Sequence, residues 1–237
     1  MMNRDEMFER TAMLFGRDAI ETLGQKRVIV FGVGGVGGYV CEALCRSGIG
    51  ALDIVDNDSV SVSNINRQII ASSSTVGRSK VDVMKERLSD INPDVTVNCH
   101  SFFYLPENAD LIDLSAYDYI VDAIDTVSAK IELAVRAQKD GIPIISSMGT
   151  GNKTDPTRLR VADLAKTTTC PLARVMRREL RLRGIDHLKV VFSDEEASTP
   201  LFADTKTGKK VPASTAFVPP VAGLLIAREV VLDLVRT

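Results

Sequence analysis

The chain has 237 residues, of which 45% are hydrophobic and 25% are charged, and its formal net charge is −2. These values allow one sizeable core without disulfide bonds, and they exclude a global basic field that would attract nucleic acid. We see no signal peptide and no apolar run near the roughly 20 residues that a membrane-spanning helix needs. We therefore expect a cytoplasmic protein with no membrane span.

Helices are predicted first, over residues 3–23, where we expect Gly16 to divide the segment in two. A strand at 28–31, a glycine-rich turn at 32–38, a helix at 39–47 and a strand at 51–55 follow. Cys41 and Cys45, four residues apart on that helix, are expected to be small buried residues.

The glycine-rich turn fits the G-x-G-x-x-G spacing of a nucleotide-binding unit through Gly32, Gly34 and Gly37, with Gly35 between them. Asp56 follows about 20 residues later, where an acid meets a ribose hydroxyl. Glycine lets the backbone approach a phosphate closely, and the next helix contributes free N–H groups and a partial positive charge. The pattern predicts an adenine nucleotide site.

Strands and helices then alternate up to residue 150. The predicted elements are a helix at 75–89, a strand at 95–99, a helix at 106–114, a strand at 119–125, a helix at 127–139 and a strand at 142–147. Such alternation is typical of a doubly wound parallel sheet. After residue 151 the pattern changes to strands at 158–161 and 189–192, a basic helix at 170–183, a polar segment at 201–211 and an apolar helix at 221–235.

We therefore predict an α/β fold with a Rossmann-like, doubly wound, mainly parallel sheet that antiparallel strands continue. One domain would span residues 1–237. Its expected parts are N-terminal helices at 1–25, a nucleotide-binding half at 26–150 and a substrate-binding and dimerisation half at 151–237.

Several polar residues favour a nucleotide triphosphate over a nicotinamide cofactor. Asn64, Arg67 and Lys80 add donors downstream of Asp56, and a triphosphate carries about four negative charges that such donors can bind. Asp122 and Asp125 are predicted at the carboxyl end of a strand, where a carboxylate can hold magnesium. A dehydrogenase stays open as an alternative, supported only by the glycine fingerprint, since the two histidines lie in no motif.

These motifs together resemble the ubiquitin-activating-enzyme-like adenylating family, whose bacterial members include ThiF, MoeB and HesA. The resemblance rests on residues 32–37, 56–58, 63–68, 76–80 and 122–125 in their order and spacing. It implies that ATP and Mg²⁺ are used to adenylate a substrate.

The resemblance also implies roles for single residues. The glycine loop and Asp56 would hold the adenosine. The remaining nucleotide-binding set would be Asp58, Asn64, Arg67, Gln68, Lys80 and Asp122. Asp125 would ligate magnesium, and Arg10 would reach into the site of a partner subunit, which implies a homodimer. The expected catalytic set is Arg10, Arg67, Lys80 and Asp125.

The chain departs from many relatives because none of its four cysteines forms a C-x-x-C pair, so no structural zinc site is predicted. Residues 155–167 instead resemble the branch of the family that uses ATP to dehydrate and cyclise threonylcarbamoyladenosine 37 in tRNA, releasing AMP and pyrophosphate. The alternatives are adenylation of the C-terminus of a ubiquitin-like sulfur carrier and a non-catalytic nucleotide-binding module.

The partner expected for this branch is a tRNA that carries threonylcarbamoyladenosine, and sulfur-relay proteins stay open as further partners. Local basic clusters suit phosphate contacts. Two clusters are candidates for contacting the tRNA. They are the helix with Arg174, Arg177, Arg178 and Arg181, and the segment with Lys206, Lys209 and Lys210.

Overall fold

The computed structural model describes residues 4–203, 208 and 211–236. Three short helices come first: α1 (Arg4–Met7), α2 (Glu9–Phe15) and α3 (Arg17–Gln25). Gly16 separates α2 from α3 with a φ of 90°, a conformation that favours glycine, so the predicted break is confirmed. The buried side chains of Phe8, Ile20 and Leu23 tie these helices to the rest of the protein.

A seven-stranded sheet follows. The strands are β1 (Arg27–Phe31), β2 (Ala51–Val55), β3 (Thr96–His100), β4 (Tyr119–Asp122), β5 (Ile144–Ser147), β6 (Leu159–Asp163) and β7 (Lys189–Ser193). Their order in space is β3-β2-β1-β4-β5-β7-β6. All neighbouring pairs are parallel except β6 with β7. The predicted mainly parallel sheet with an antiparallel continuation is confirmed, and β6 is the described strand that reverses direction.

Helices cover both faces of the sheet. They are α4 (Gly37–Arg46), α5 (Lys80–Ile91), α6 (Val127–Asp140), α7 (Pro171–Arg181) and α8 (Val218–Arg236). One core joins α4, α5 and α8 to one face through buried residues such as Leu44, Met84 and Ile226. On the other face α6 and α7 bury Leu133 and Met176. Cys41 and Cys45 are fully buried in the first core, as predicted.

Three predicted elements differ from the structure, and the first two differences shape the site. The helix expected from residue 75 begins at Lys80, because residues 77–79 instead pair with the loop after β2: Val60 N donates to the Arg78 carbonyl at 2.8 Å. The strand expected to reach Asp125 ends at Asp122, so Asp125 lies in a loop. The predicted helix at 106–114 is a 3₁₀ segment over Pro106–Leu111.

Among the described helices, none has both the length and the apolar character needed to cross a membrane. The division into N-terminal, nucleotide-binding and dimerisation parts stays a prediction.

Candidate active site

A cleft of about 780 Å³ opens at the carboxyl ends of the parallel strands. Residues that follow β1, β2, β3, β4 and β5 line it. The strand order reverses between β1 and β4, and such switch points are where ligands bind in open α/β sheets. The site residues predicted from the sequence that line this cleft are Gly32, Gly34, Gly35, Asp56, Asp58, Asn64, Arg67, Gln68, Lys80 and Asp125.

The glycine turn needs glycine at two positions for steric reasons. Gly32 has a φ of 89°, and a Cβ there would lie 2.7 Å from the Ala123 carbonyl oxygen. A Cβ on Gly37, the first residue of α4, would lie 1.8 Å from the Gly32 carbonyl oxygen. Gly37 thus packs against the backbone of Gly32 within the turn, while Gly34 and Gly35 line the cleft.

Asp56 is held rigidly at the end of β2. Its Oδ2 accepts a hydrogen bond of 2.7 Å from Val33 N in the glycine turn, and its Oδ1 accepts one of 2.9 Å from Asp58 N. An ionised carboxylate has about four acceptor sites, so these two bonds leave capacity for a ligand hydroxyl. The arrangement ties the glycine turn to the acid that lines the cleft.

Lys80 is the buried cation of the site, with 6% of its side chain exposed. Its Nζ lies 2.7 Å from Asp58 Oδ2 and 3.8 Å from Asp56 Oδ2. An ammonium has three donors, so Lys80 can bind a phosphate without leaving Asp58. The late start of α5 puts this charge at the helix N-terminus, where the backbone also favours an anion.

Arg67 lies on the other wall of the cleft. Its Nη1 donates to the Ser63 carbonyl and to Asn66 Oδ1, both at 2.9 Å. Partial burial lowers the pKa of Arg67, because desolvation disfavours its charged form. The guanidinium of Arg67 is half-buried and donates to neutral oxygens. A phosphate that binds there would pair its negative charge with the positive charge of Arg67.

Two amide side chains complete this wall. Asn64 is buried, and its Oδ1 accepts a 3.0 Å bond from Ser61 N, which fixes the loop that carries Arg67. Gln68 is also buried, and among the described atoms its Oε1 has no hydrogen-bond partner. A buried unpaired oxygen is unusual in a folded protein, and in a cleft wall it fits a site built to receive a polar ligand.

The two acids predicted at the end of β4 lie in different surroundings. Asp122 is 1% exposed, and its Oδ2 lies 2.9 Å from Nζ of the fully buried Lys130. It also accepts a hydrogen bond from Ser146 Oγ at 2.5 Å. Asp122 does not line the cleft, so the predicted contact with nucleotide does not fit its position. Asp125, released from the strand, is exposed and lines the cleft.

Lys130 was not identified from the sequence, although a signal exists. It lies on the face of α6 whose other residues, including Ala129, Leu133 and Ala134, are buried against the sheet. A charge at such a position requires a buried partner. Lys130 Nζ also donates to the Ile124 carbonyl at 3.1 Å, and Ile124 N donates to Asp122. The pair thereby fixes the loop that presents Asp125.

An aromatic wall was also missed. Phe31 at the end of β1 packs edge-on against Tyr104, with ring centroids 4.8 Å apart. Phe102 and Phe103 lie beside them, and all four residues line the cleft. The run of aromatic residues directly after β3 was the available signal, because residues that follow a parallel strand lie at the ligand-binding edge. Flat apolar rings suit contact with a nucleobase.

Arg10 does not line the cleft of its own chain. It is an exposed residue on α2, and the residues that follow it, Met13, Leu14 and Phe15, expose 72%, 83% and 41% of their surface. Contiguous exposed apolar residues are typical of protein interfaces. The position therefore excludes a role for Arg10 within its own cleft and leaves a role in a partner's cleft as a prediction.

The basic helix α7 starts at the cleft, where Leu172 lines the wall. Arg174, Arg178 and Arg181 are exposed along it. Arg177 differs: its Nη1 donates to the Leu164 carbonyl at 3.1 Å and to the Thr167 carbonyl at 2.9 Å, so it caps a turn inside the protein. Lys206, Lys209 and Lys210 lie outside the described residues.

No three His, Cys, Asp or Glu side chains in the described ranges gather to form a metal site of their own. Cys170 is buried immediately before α7.

Comparison with known proteins identifies a family. The model of the ThiF family matches residues 8–235. A Bacillus subtilis protein named tRNA threonylcarbamoyladenosine dehydratase is 44% identical over an alignment that covers 97% of this chain and 94% of the relative. A Salmonella typhimurium molybdopterin-synthase adenylyltransferase is 34% identical but covers 59% of this chain.

Solved structures agree with this result. The E. coli tRNA N6-threonylcarbamoyladenosine dehydratase TcdA in complex with AMP superposes with a TM-score of 0.90, at 33% identity over 98% of this chain and 95% of that chain. The same enzyme in complex with ATP gives a TM-score of 0.89. Its likeness extends over both halves of the sheet.

Proposed function

This chain belongs to the ThiF family, and we propose that it is the ATP-dependent enzyme that dehydrates threonylcarbamoyladenosine 37 in tRNA to a cyclic product, releasing AMP and pyrophosphate. The observation that carries the proposal is the 44% identity to a relative of that name over nearly its whole length. The cleft supports it, because donors and an exposed carboxylate meet there at the switch point of the sheet. A tRNA substrate would place the enzyme in the cytoplasm.

ATP would lie along the glycine turn. Asp56 would bind the ribose, as the end of β2 requires in this fold. The aromatic wall of Phe31, Phe102, Phe103 and Tyr104 would contact the adenine. Arg67 and Lys80 would bind the phosphates from opposite walls. The ATP and AMP complexes of the E. coli relative support a nucleotide in this cleft.

Magnesium would be held by Asp125 together with the phosphates. Mg²⁺ is commonly bound by one or two carboxylates plus substrate phosphates rather than by an all-protein cage. Asp125 suits this role because it is exposed in the cleft. Its Oδ1 accepts a long, weak hydrogen bond of 3.5 Å from Thr126 Oγ1. When bound, the ion would neutralise phosphate charge during attack on the α-phosphate.

The chemistry starts from a carboxylate, which is a poor acylating agent because oxide is a poor leaving group. In the proposed first step a carboxylate oxygen of the threonylcarbamoyl group attacks the α-phosphate, and the bond to pyrophosphate breaks. Arg67 and Lys80 stabilise the charge that develops on the phosphates. A neighbouring atom of the same group then attacks the acyl carbon, closes the ring and releases AMP.

Ring closure within one molecule needs no enzyme nucleophile, because attack inside a well-oriented group is fast. The cysteines agree with this: Cys41 and Cys45 lie in the core, and burial raises the pKa of the Cys45 thiol to about 11. Cys170 is buried as well. The residues that act would be phosphate-binding cations rather than a thiol.

A homodimer would complete each site. Arg10 is exposed, lies outside its own cleft and is followed by the apolar Met13, Leu14 and Phe15. Burial of this apolar surface against a second copy would bring Arg10 to the partner's phosphates. The tRNA would contact the exposed arginines of α7, since that helix starts at the cleft wall.

The runner-up function is adenylation of the C-terminus of a ubiquitin-like sulfur carrier, which the Salmonella relative favours. One experiment separates the two. The protein is incubated with ATP and Mg²⁺, and with either threonylcarbamoyladenosine-containing tRNA or a carrier protein. We expect AMP release only with the tRNA, together with the loss of one water from the nucleoside by mass spectrometry. An adenylated carrier and an unchanged tRNA would contradict the proposal.

A further inference from the structure

One wall of the cleft is formed by an extended segment rather than by a helix or strand. Residues 211–214, which we name the strap, line the cleft together with residues 147–151, which form the end of β5 and the loop after it. Two strands, β1 and β4, separate β5 from β2, which carries Asp56. The strap therefore bounds the part of the cleft that lies away from the ribose-binding acid and beyond Asp125.

Asn152 holds this strap. It has a φ of 60°, in the left-handed region that non-glycine residues rarely adopt and that asparagine tolerates best. Its Oδ1 accepts a 2.7 Å hydrogen bond from Ala213 N, and its own N donates to the Ala213 carbonyl at 2.7 Å. Its carbonyl accepts a 2.8 Å bond from Ser198 N. One residue thus binds both the strap and the segment that precedes it in the chain.

The base under Asn152 is rigid. The next residue, Lys153, is 3% exposed, and its Nζ donates to the Ser193 and Glu195 carbonyls at 3.0 Å each. Burial lowers the pKa of Lys153, because desolvation disfavours the charged form. The loop is in this way fixed to the end of β7.

The strap also packs tightly and has a second anchor. A Cβ on Gly151 would lie 2.8 Å from Pro212 Cβ, so the strap touches the loop directly. On the opposite wall, Asn66 Nδ2 donates to the Ser214 carbonyl at 3.1 Å. The same Asn66 accepts a hydrogen bond from Arg67. The strap bridges the phosphate-binding wall and the loop after β5.

We propose that Asn152 is a positioning residue that holds the strap as the wall of an acyl subsite, where the threonylcarbamoyl group lies against the α-phosphate. The inference rests on the proposed function. Asp56 and the aromatic wall take the adenosine end of the cleft, and Arg67 and Lys80 take the phosphates. The space bounded by the strap is then left for the group that attacks. Asn152 touches no reacting atom and acts through Ala213.

The chain offers a matched pair of variants. Asn152→Gly keeps the positive φ and both backbone hydrogen bonds, and removes only the side-chain acceptor. Asn152→Asp keeps that acceptor at the same place. Gly151→Ala disturbs the strap independently, because its new methyl group meets Pro212. Each is compared with the wild type in dehydration of modified tRNA, in binding of ATP, and in hydrogen exchange of the peptide that contains the Ala213 amide.

We expect Asn152→Gly to lose about tenfold in kcat/KM, mainly through a higher KM for the modified tRNA, because the substrate is held less accurately. Its Kd for ATP should stay within about twofold of the wild type, and the Ala213 amide should exchange faster. Asn152→Asp should retain kcat/KM within about threefold, because the acceptor is preserved. Gly151→Ala should raise the same KM.

Equal activity of Asn152→Gly and the wild type would overturn the inference, as would an equal loss in the Asp and Gly variants. A weaker ATP complex in Asn152→Gly would overturn the assignment of the strap to the acyl group. These outcomes concern variants of an active enzyme. A wild-type protein that does not dehydrate the tRNA contradicts the proposed function itself, so the two failures are distinguishable.

Discussion

The two ends of the cleft are built differently. At the nucleotide end the walls are strand termini and a helix start, and the polar side chains are fixed by ion pairs that each contain a buried lysine, Lys80 with Asp58 and Lys130 with Asp122. At the strap end the wall is an irregular segment that Asn152 and Asn66 hold through exposed hydrogen bonds. The nucleotide end is thus preorganised by the core, whereas the strap end depends on a few surface bonds.

The comparison predicts first that removal of a buried charge at the nucleotide end strongly lowers the free energy of unfolding. Lys130→Met leaves Asp122 unpaired in the core and should lower the free energy of unfolding by about 3–5 kcal/mol. Urea denaturation measures this. Lys139→Met, on the exposed face of the same helix, is the control and should change stability by less than about 0.5 kcal/mol. Similar stabilities of the two variants would show that the pair does not organise this end.

The second prediction concerns chemistry rather than stability. Lys80→Met removes a cation that faces the phosphates and should reduce AMP formation by about 10²–10³-fold. The affinity for tRNA should be unchanged, because Lys80 lies inside the cleft. Lys85→Met on the exposed side of α5 serves as control. A loss of less than about threefold in the Lys80 variant would remove it from the phosphate site.

The third prediction tests whether the nucleotide end is completed by a second chain. Arg10→Ala should reduce AMP formation by about a hundredfold. Mixed with the inactive Lys80→Met protein under conditions that allow subunit exchange, it should recover about a quarter of wild-type activity, since half of the dimers then contain one intact site. Absence of any recovery in exchanged dimers would show that Arg10 does not complete the site of a partner chain.

The fourth prediction concerns the exposed arginines of α7, which we expect to contact the tRNA. Charge reversal of Arg174, Arg178 and Arg181 should weaken tRNA binding about tenfold and reduce the slope of log affinity against log salt by up to about 3, one for each lost phosphate contact. ATP binding should be unaffected. The matched control reverses three other exposed cations, Lys85, Lys139 and Arg228. Equal losses of tRNA affinity in both triple variants would show that binding depends on the net charge of the protein and not on α7.

The smallest effect is expected from a polar cluster under the nucleotide end. Burial alone would raise the pKa of Asp53, but hydrogen bonds from Arg27, His100 and Asn98 outweigh it, so the pKa lies below its ordinary value of 3.8. A lowered pKa stabilises the folded state above pH 3.8, and this contribution is lost as the pH falls further.

The stability advantage of the wild type over Asp53→Asn should therefore shrink as the pH falls from about 4 to about 2, measured by thermal unfolding. A constant difference across this range would show that the ionised form of Asp53 does not contribute.

The sequence was most informative where backbone chemistry is local. The glycine spacing, Asp56 and the alternation of elements predicted the mainly parallel sheet and an adenine nucleotide site. It was less informative where tertiary contacts decide. The pattern of residues 119–125 does not indicate that the strand ends at Asp122. This end point determines that Asp122 is buried and that Asp125 is exposed. The contact between Asn152 and Ala213 joins segments 61 residues apart, which no local pattern indicates.

Transfer of a carboxylate oxygen tests the central claim most directly. Modified tRNA labelled with oxygen-18 in the threonyl carboxylate is incubated with the protein, ATP and Mg²⁺, and the nucleotide products are examined by mass spectrometry. Attack on the α-phosphate followed by ring closure leaves one labelled oxygen on AMP, and this is the result we predict. Label in inorganic phosphate with formation of ADP, or unlabelled AMP beside an unchanged tRNA, would contradict it.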